Sequence, residues 1–214
     1  MKKQSTLEIK TTGKLFPIIS LLITNSLAIF GILFLNWSGS LILFSYWMEN
    51  IIVGYFTVLK MRKAEKLHDD KPIHIKLNGL NVKNISSRTT LISFFCFHYG
   101  LFAFVHGIFI LSFLSIGLFN LDFGSNTNFL INTLIFTTFL FISHQISYKK
   151  NFIGGKEYKN LAVSRALITP YRRVIPVHIA IMFGAISGIP GIILVSLKTI
   201  IDLLTHYMEH KSKS

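Results

Sequence analysis

The chain has 214 residues, of which 51% are hydrophobic and only 14% charged, with 20 phenylalanines and a formal net charge of +13. So little charge, spread between such long apolar runs, argues against a soluble domain, where about 25% of residues are charged. The basic excess needs no nucleic acid: it fits cytoplasmic loops and attraction to anionic headgroups, which makes membrane lipids the expected partners.

The expected fold is an all-α, polytopic membrane helix bundle, one domain over residues 1–214. Roughly 20 apolar residues cross the hydrocarbon core as a helix, and helices leave no backbone group unpaired in lipid. Lys2, Lys3, Lys10 and Lys14 precede a first span over 15–35. That run is too long for a signal-peptide core and lacks a small-residue cleavage pattern, so it reads as uncleaved. A very short turn around Asn36 leads to span two, 38–59. Residues 60–88 are basic and polar, with Asn78-Gly79 as a turn signal. Span three covers 89–119 and includes the single cysteine, Cys96, which reads as a small packed hydrophobe. A polar connector at 120–128 precedes span four, 129–148, and a second basic loop occupies 149–173.

The remaining apolar stretch divides into spans five, 174–188, and six, 190–208, if Gly188-Ile189-Pro190-Gly191 turns the chain. Lysine and arginine are absent from the turn at 36–38 and from 120–128. Six spans then place both termini and every basic loop in the cytoplasm. A five-span arrangement, with 198–214 as an amphipathic helix on the outer face, is the alternative.

Ionisable groups at membrane depth cost a few kcal/mol, so they tend to face a bundle interior, a cavity or an ion. Glu49, His98, His106, His144, His178 and Asp202 lie in or at the rim of the apolar runs, with His206 and His210 following Asp202 at helical spacing. At about 1.5 Å of rise per residue, Glu49, His98, His144, His178, Asp202 and His206 all fall in the inner half of the membrane. Convergence on one cavity is the economical reading, with His106 two turns further out than His98.

Each group also has a plainer role. Glu49 can pair with a histidine or lysine, or stay protonated. Single buried histidines are usually hydrogen-bonded packing, and His144 and His178 are near enough to the interface to snorkel. Asp202, His206 and His210 share one face, flanked by Lys198 and Glu209, which suits either a metal site or an interfacial helix. His68 and His74, in the basic loop, are expected in solvent. Tyr171, Arg172 and Arg173 open span five, either as a cytoplasmic boundary or as ligands for a lipid headgroup or anionic substrate.

Several runs together resemble an uncharacterised family of bacterial and archaeal integral membrane proteins known only as a domain of unknown function. They are Tyr46-Trp47-Met48-Glu49-Asn50, His98-Tyr99-Gly100 through His106, Asn151-Phe152 to Glu157-Tyr158, Pro170-Tyr171-x-Arg173, and Lys198-Thr199 through Asp202 to His206. This resemblance implies a multi-pass protein and supplies no reaction. A looser one, through Asp202-x-x-x-His206-x-x-x-His210, is to alkaline ceramidase and adiponectin-receptor-like membrane hydrolases, which hold zinc with three histidines; those proteins usually have seven spans.

The leading functional expectation is an intramembrane metal-dependent hydrolase acting on a lipid or other amphiphile. Zinc or iron would be held by His98, His144, His178 and His206, with Asp202 as a further ligand or ligand partner and Glu49 as general base. A proton-coupled transporter or permease using the same glutamate, aspartate and histidines as a relay is the rival. A haem-binding electron carrier, with His144 and His178 at matching depth, is the third.

Overall fold

The structure, a computed structural model, describes residues 23, 25–68, 76–77, 80–81, 87–115, 127–171, 174–175, 178 and 196–200. Helix α1, Asn25–Phe34, ends in a turn that depends on particular residues. Asn36 adopts a left-handed backbone with φ 53°, which asparagine tolerates better than most side chains. The Trp37 amide then donates back to the Gly31 carbonyl over 2.9 Å. Its indole lies so close to Gly31 that an added methyl there would collide with it. Ser38 starts the next helix, its Oγ accepting from the Leu41 amide at 3.2 Å, the N-cap role for which serine is favoured.

Helix α2, Gly39–Lys63, is the hub of the described bundle, packing against α3, Arg88–Ser115, and α4, Thr127–Ser147. Among the described residues, three segments are long and apolar enough to cross a membrane: Gly39–Lys63, Arg88–Ser112 and Asn128–Gly154. Apolar burial does little to join helices in lipid, so close packing and interhelical hydrogen bonds carry the contact. Helices α2 and α3 meet in a reciprocal way. Trp47 of α2 lies against Gly107 of α3, and Tyr99 of α3 lies against Gly54 of α2. Each aromatic also donates across: Trp47 Nε1 to the Ala103 carbonyl at 2.8 Å, and the Tyr99 hydroxyl to the Asn50 carbonyl at 2.9 Å. One apolar cluster, including Ala28, Trp37, Tyr46 and Phe136, joins α1, α2 and α4. The outward faces carry Phe97, Phe104, Leu130 and Leu134, all exposed for lipid to cover.

Three sequence expectations are corrected. Residues 149–171 do not form a solvated loop. The end of α4 widens into a π-helical stretch, Tyr148–Gly154, followed by a 3-10 turn, Glu157–Lys159, and helix α5 at residues 163–171. Val163, Ala166 and Leu167 pack with Met61, Leu91 and Phe95 in a second apolar cluster. The basic residues disguise an amphipathic segment whose apolar side is buried. Three main-chain hydrogen bonds tie it to the end of α2: Glu65 N to Tyr158 O, Val163 N to Lys66 O, and Ser164 N to Leu67 O. Cys96 is exposed rather than packed, because α3 turns it outward beside Phe97. His68 is half-buried rather than solvated, since the tie draws its segment against α5.

Arg88 closes the same end of the bundle. Its guanidinium donates to the Arg62 carbonyl at 2.8 Å and the Ala64 carbonyl at 2.6 Å, satisfying acceptors that the end of α2 leaves open. In the intervening segment, β1 (Lys76–Leu77) and β2 (Leu80–Asn81) pair antiparallel, flanking the Asn-Gly that the sequence offers as a turn signal. The segments expected as spans five and six lie outside the described residues except at 174–175, 178 and 196–200. So do His74 and residues 15–22 and 24 of span one.

Candidate functional site

Glu49 is the most consequential polar residue of α2. It is buried, with 7% of its surface exposed, and it has two named partners. The Lys198 ammonium lies 3.0 Å from Oε2, and His144 Nε2 lies 3.4 Å from Oε1. Lys198 is also buried, and its Nζ sits 4.3 Å from the centroid of the Tyr46 ring. Tyr46 and Glu49 are three residues apart on α2 and so point to the same side of the helix. The Tyr46 hydroxyl donates to Asn25 Oδ1 of α1 at 3.4 Å, and its ring packs on Phe136 of α4. His144, on α4, stacks against Phe56. The cluster therefore draws on α1, α2, α4 and the helical segment 196–200.

A second polar group lies on α3. His98 is exposed, stacks on Phe94 and has Nδ1 2.8 Å from the Tyr171 hydroxyl. A phenol is protonated at neutral pH, so Tyr171 can donate when the imidazole proton is on Nε2. The Tyr171 ring also packs edge-on against Tyr99, whose hydroxyl is bonded to the residue after Glu49. His106, only 1% exposed, meets His178 edge-to-face with ring centroids 4.1 Å apart. Phe102 borders both rings. Among the described residues, both ring nitrogens of His106 and Nδ1 of His178 find no hydrogen-bond partner.

The expected single convergence is thus divided. Glu49 and His144 are brought together, His98 pairs with Tyr171, and His178 pairs with His106. Asp202, His206, His210, Arg172 and Arg173 lie outside the described residues. Among the described residues, no group of three or more His, Cys, Asp or Glu side chains could hold a metal ion. Zinc sites use three or four protein ligands, so these histidine pairs do not fit zinc by themselves, and His98, His144 and His178 do not assemble as ligands of one ion. Of the two histidines expected as a haem pair, His144 turns Nε2 to Glu49 and His178 faces His106.

Lys198 and Asn25 escape attention in the sequence. Lys198 reads as a flank of the Asp202 face and as part of the basic tally, although a lysine in an apolar run meets the same criterion as Glu49. Asn25 carries no charge and leaves no comparable signal.

Comparison with known proteins gives a family without a reaction. A family model described as a family of unknown function, DUF6498, matches residues 9–214. The chain belongs to DUF6498. No curated protein and no solved structure matches it, so the resemblance to ceramidase-like hydrolases finds no counterpart. Membership agrees with the uncharacterised family suggested by the sequence runs, and it leaves the chemistry of this DUF6498 chain to be argued from the Glu49 cluster.

Proposed function

We propose that the protein is a proton-coupled membrane transporter in which Glu49 carries the exchangeable proton. One observation supports this reading above the others: a buried carboxylate held between a lysine ammonium and an imidazole. Packing alone does not call for such an arrangement, since a buried ion pair can often be replaced by apolar side chains at no loss of stability. Intramembrane Glu, Lys and His commonly mark ion pathways and proton relays. Protonating Glu49 removes its charge, weakens its hold on Lys198 and leaves His144 to accept or donate a proton. The cluster then has two electrostatic states that a passing solute can bias. In this reading six spans enclose the site, both termini face the cytoplasm, and lipids surround the bundle.

The test uses everted membrane vesicles holding a proton gradient, followed with a pH-sensitive dye. Primary amines, carboxylates and neutral amphiphiles are added in turn. Transport predicts that one class collapses part of the gradient with wild-type protein but not with Glu49→Gln. Identical traces from the two proteins for every class would refute it.

A metal-dependent hydrolase acting on a lipid or amphiphile is the second reading. The observation in its favour is the contact between Glu49 and His144, a carboxylate and an imidazole of the kinds that zinc and iron accept. The rest of its ligand set would have to come from Asp202 and His206. Elemental analysis decides: zinc or iron near one per chain would put this reading first.

A further inference from the structure

We propose that Tyr46 and Glu49 form a subsite for a primary ammonium group, and that Lys198 is a tethered occupant which an amine-bearing substrate displaces. This rests on the transport reading only in assuming that a solute can reach the site.

The seat is built without the lysine. Both of its walls come from α2, and each is held by another helix. The Tyr46 ring is fixed by its hydroxyl to Asn25 of α1 and by packing on Phe136 of α4. The Glu49 carboxylate is met by His144 of α4. The cation arrives from a different part of the chain, the helical segment 196–200, on a flexible four-carbon stem. If the lysine withdrew, the carboxylate and the ring would remain where they are.

The chemistry of the seat selects the ligand class. A carboxylate oxygen 3.0 Å from Nζ supplies charge and a hydrogen-bond acceptor. The ring face 4.3 Å from the same nitrogen attracts a cation through its quadrupole. Hard metal cations prefer a shell of several oxygen atoms, whereas a carboxylate with an aromatic face suits an organic cation. The present occupant is itself an alkyl chain ending in an ammonium. It therefore displays the shape of the ligand that the seat accepts: an unbranched apolar stem with a primary amine at its tip. Buried apolar side chains around the seat, Ile42 and Phe136 among them, favour an amphiphilic amine over a highly polar one.

The experiment measures thermal stability of detergent-solubilised protein with n-octylammonium, octanoate or octanol. Wild-type protein should be stabilised saturably by n-octylammonium and by neither of the others. Lys198→Ala, with its tethered competitor gone, should bind n-octylammonium at least tenfold more tightly. The double variant Glu49→Gln/Lys198→Ala, which removes both members of the pair, should lose the response. Binding to wild type is the arm that a purely structural ion pair does not produce. Equal responses to octylammonium and octanoate, no tightening in Lys198→Ala, or a response surviving in the double variant would each overturn the proposal. Octylammonium binding without proton movement in vesicles would remove the transport reading and keep the subsite. Proton movement with another compound class, and no octylammonium binding, would do the reverse.

Discussion

Lys198 and Glu49 form a buried ion pair, 3.0 Å from nitrogen to oxygen, between a helix in the first quarter of the chain and one near its end. Breaking one side of such a pair costs far more than removing both. Glu49→Gln should destabilise the protein by about 3–5 kcal/mol, because it takes a carboxylate away from a buried ammonium. Glu49→Gln/Lys198→Met should recover most of that loss. Urea or thermal unfolding of wild type, Glu49→Gln, Lys198→Met and the double variant closes the cycle, and additive losses would show that the pair is not coupled.

Gly54 and Gly100 should respond to alanine with opposite signs. A Cβ at Gly54 would come 2.8 Å from Tyr99 Cε1, while one at Gly100 meets nothing within 4 Å. Gly54→Ala forces the α2–α3 contact apart, at about 1–3 kcal/mol. Gly100→Ala relieves backbone entropy in an exposed helical position and should stabilise by up to about 1 kcal/mol. Melting temperatures of the two variants, measured in the same detergent, test the reciprocal packing.

Arg88 is expected to behave as a structural clasp. Arg88→Gln removes charge-assisted bonds to the Arg62 and Ala64 carbonyls, a loss of about 1–3 kcal/mol. Arg88→Lys should restore less than half, since an ammonium lacks the planar fork that reaches two acceptors. Hydrogen exchange at the end of α2 should rise in the glutamine variant; unchanged protection there would count against the clasp.

Membrane orientation is open to a simple measurement. The absence of Lys and Arg from 36–38 and 120–128 predicts both termini in the cytoplasm. A reporter fused after Ser214 should read cytoplasmic. An external signal would favour five spans.

The apolar runs made α2, α3 and α4 legible, because a membrane-length stretch is a composition signal that needs no tertiary context. Glu49 and His144 stood out for the same reason, as polar groups in greasy surroundings. Their partition into separate groups was not legible. Depth along a helix says nothing about which neighbour lies opposite, so His98 with Tyr171, and His106 with His178, could not be separated from Glu49 with His144. The segment 149–171 was hidden by its charges: Lys149, Lys150, Lys156 and Lys159 suggest a solvated loop, while Val163, Ala166 and Leu167 supply its buried side. Lys198 was obscured by the rule that explained the other basic residues.

Trp47 joins the two halves of this picture. Its indole is anchored to the Ala103 carbonyl of α3, and its backbone lies between Tyr46 and Glu49. The chain has only two tryptophans, and the other, Trp37, is buried in the turn between α1 and α2. Replacing Trp37 with phenylalanine would leave a single tryptophan, whose indole sits in the α2–α3 contact on the side of α2 away from the carboxylate. The molecule thus carries an optical reporter of how closely α2 and α3 approach, and a change in that contact can be followed by emission without attaching a label.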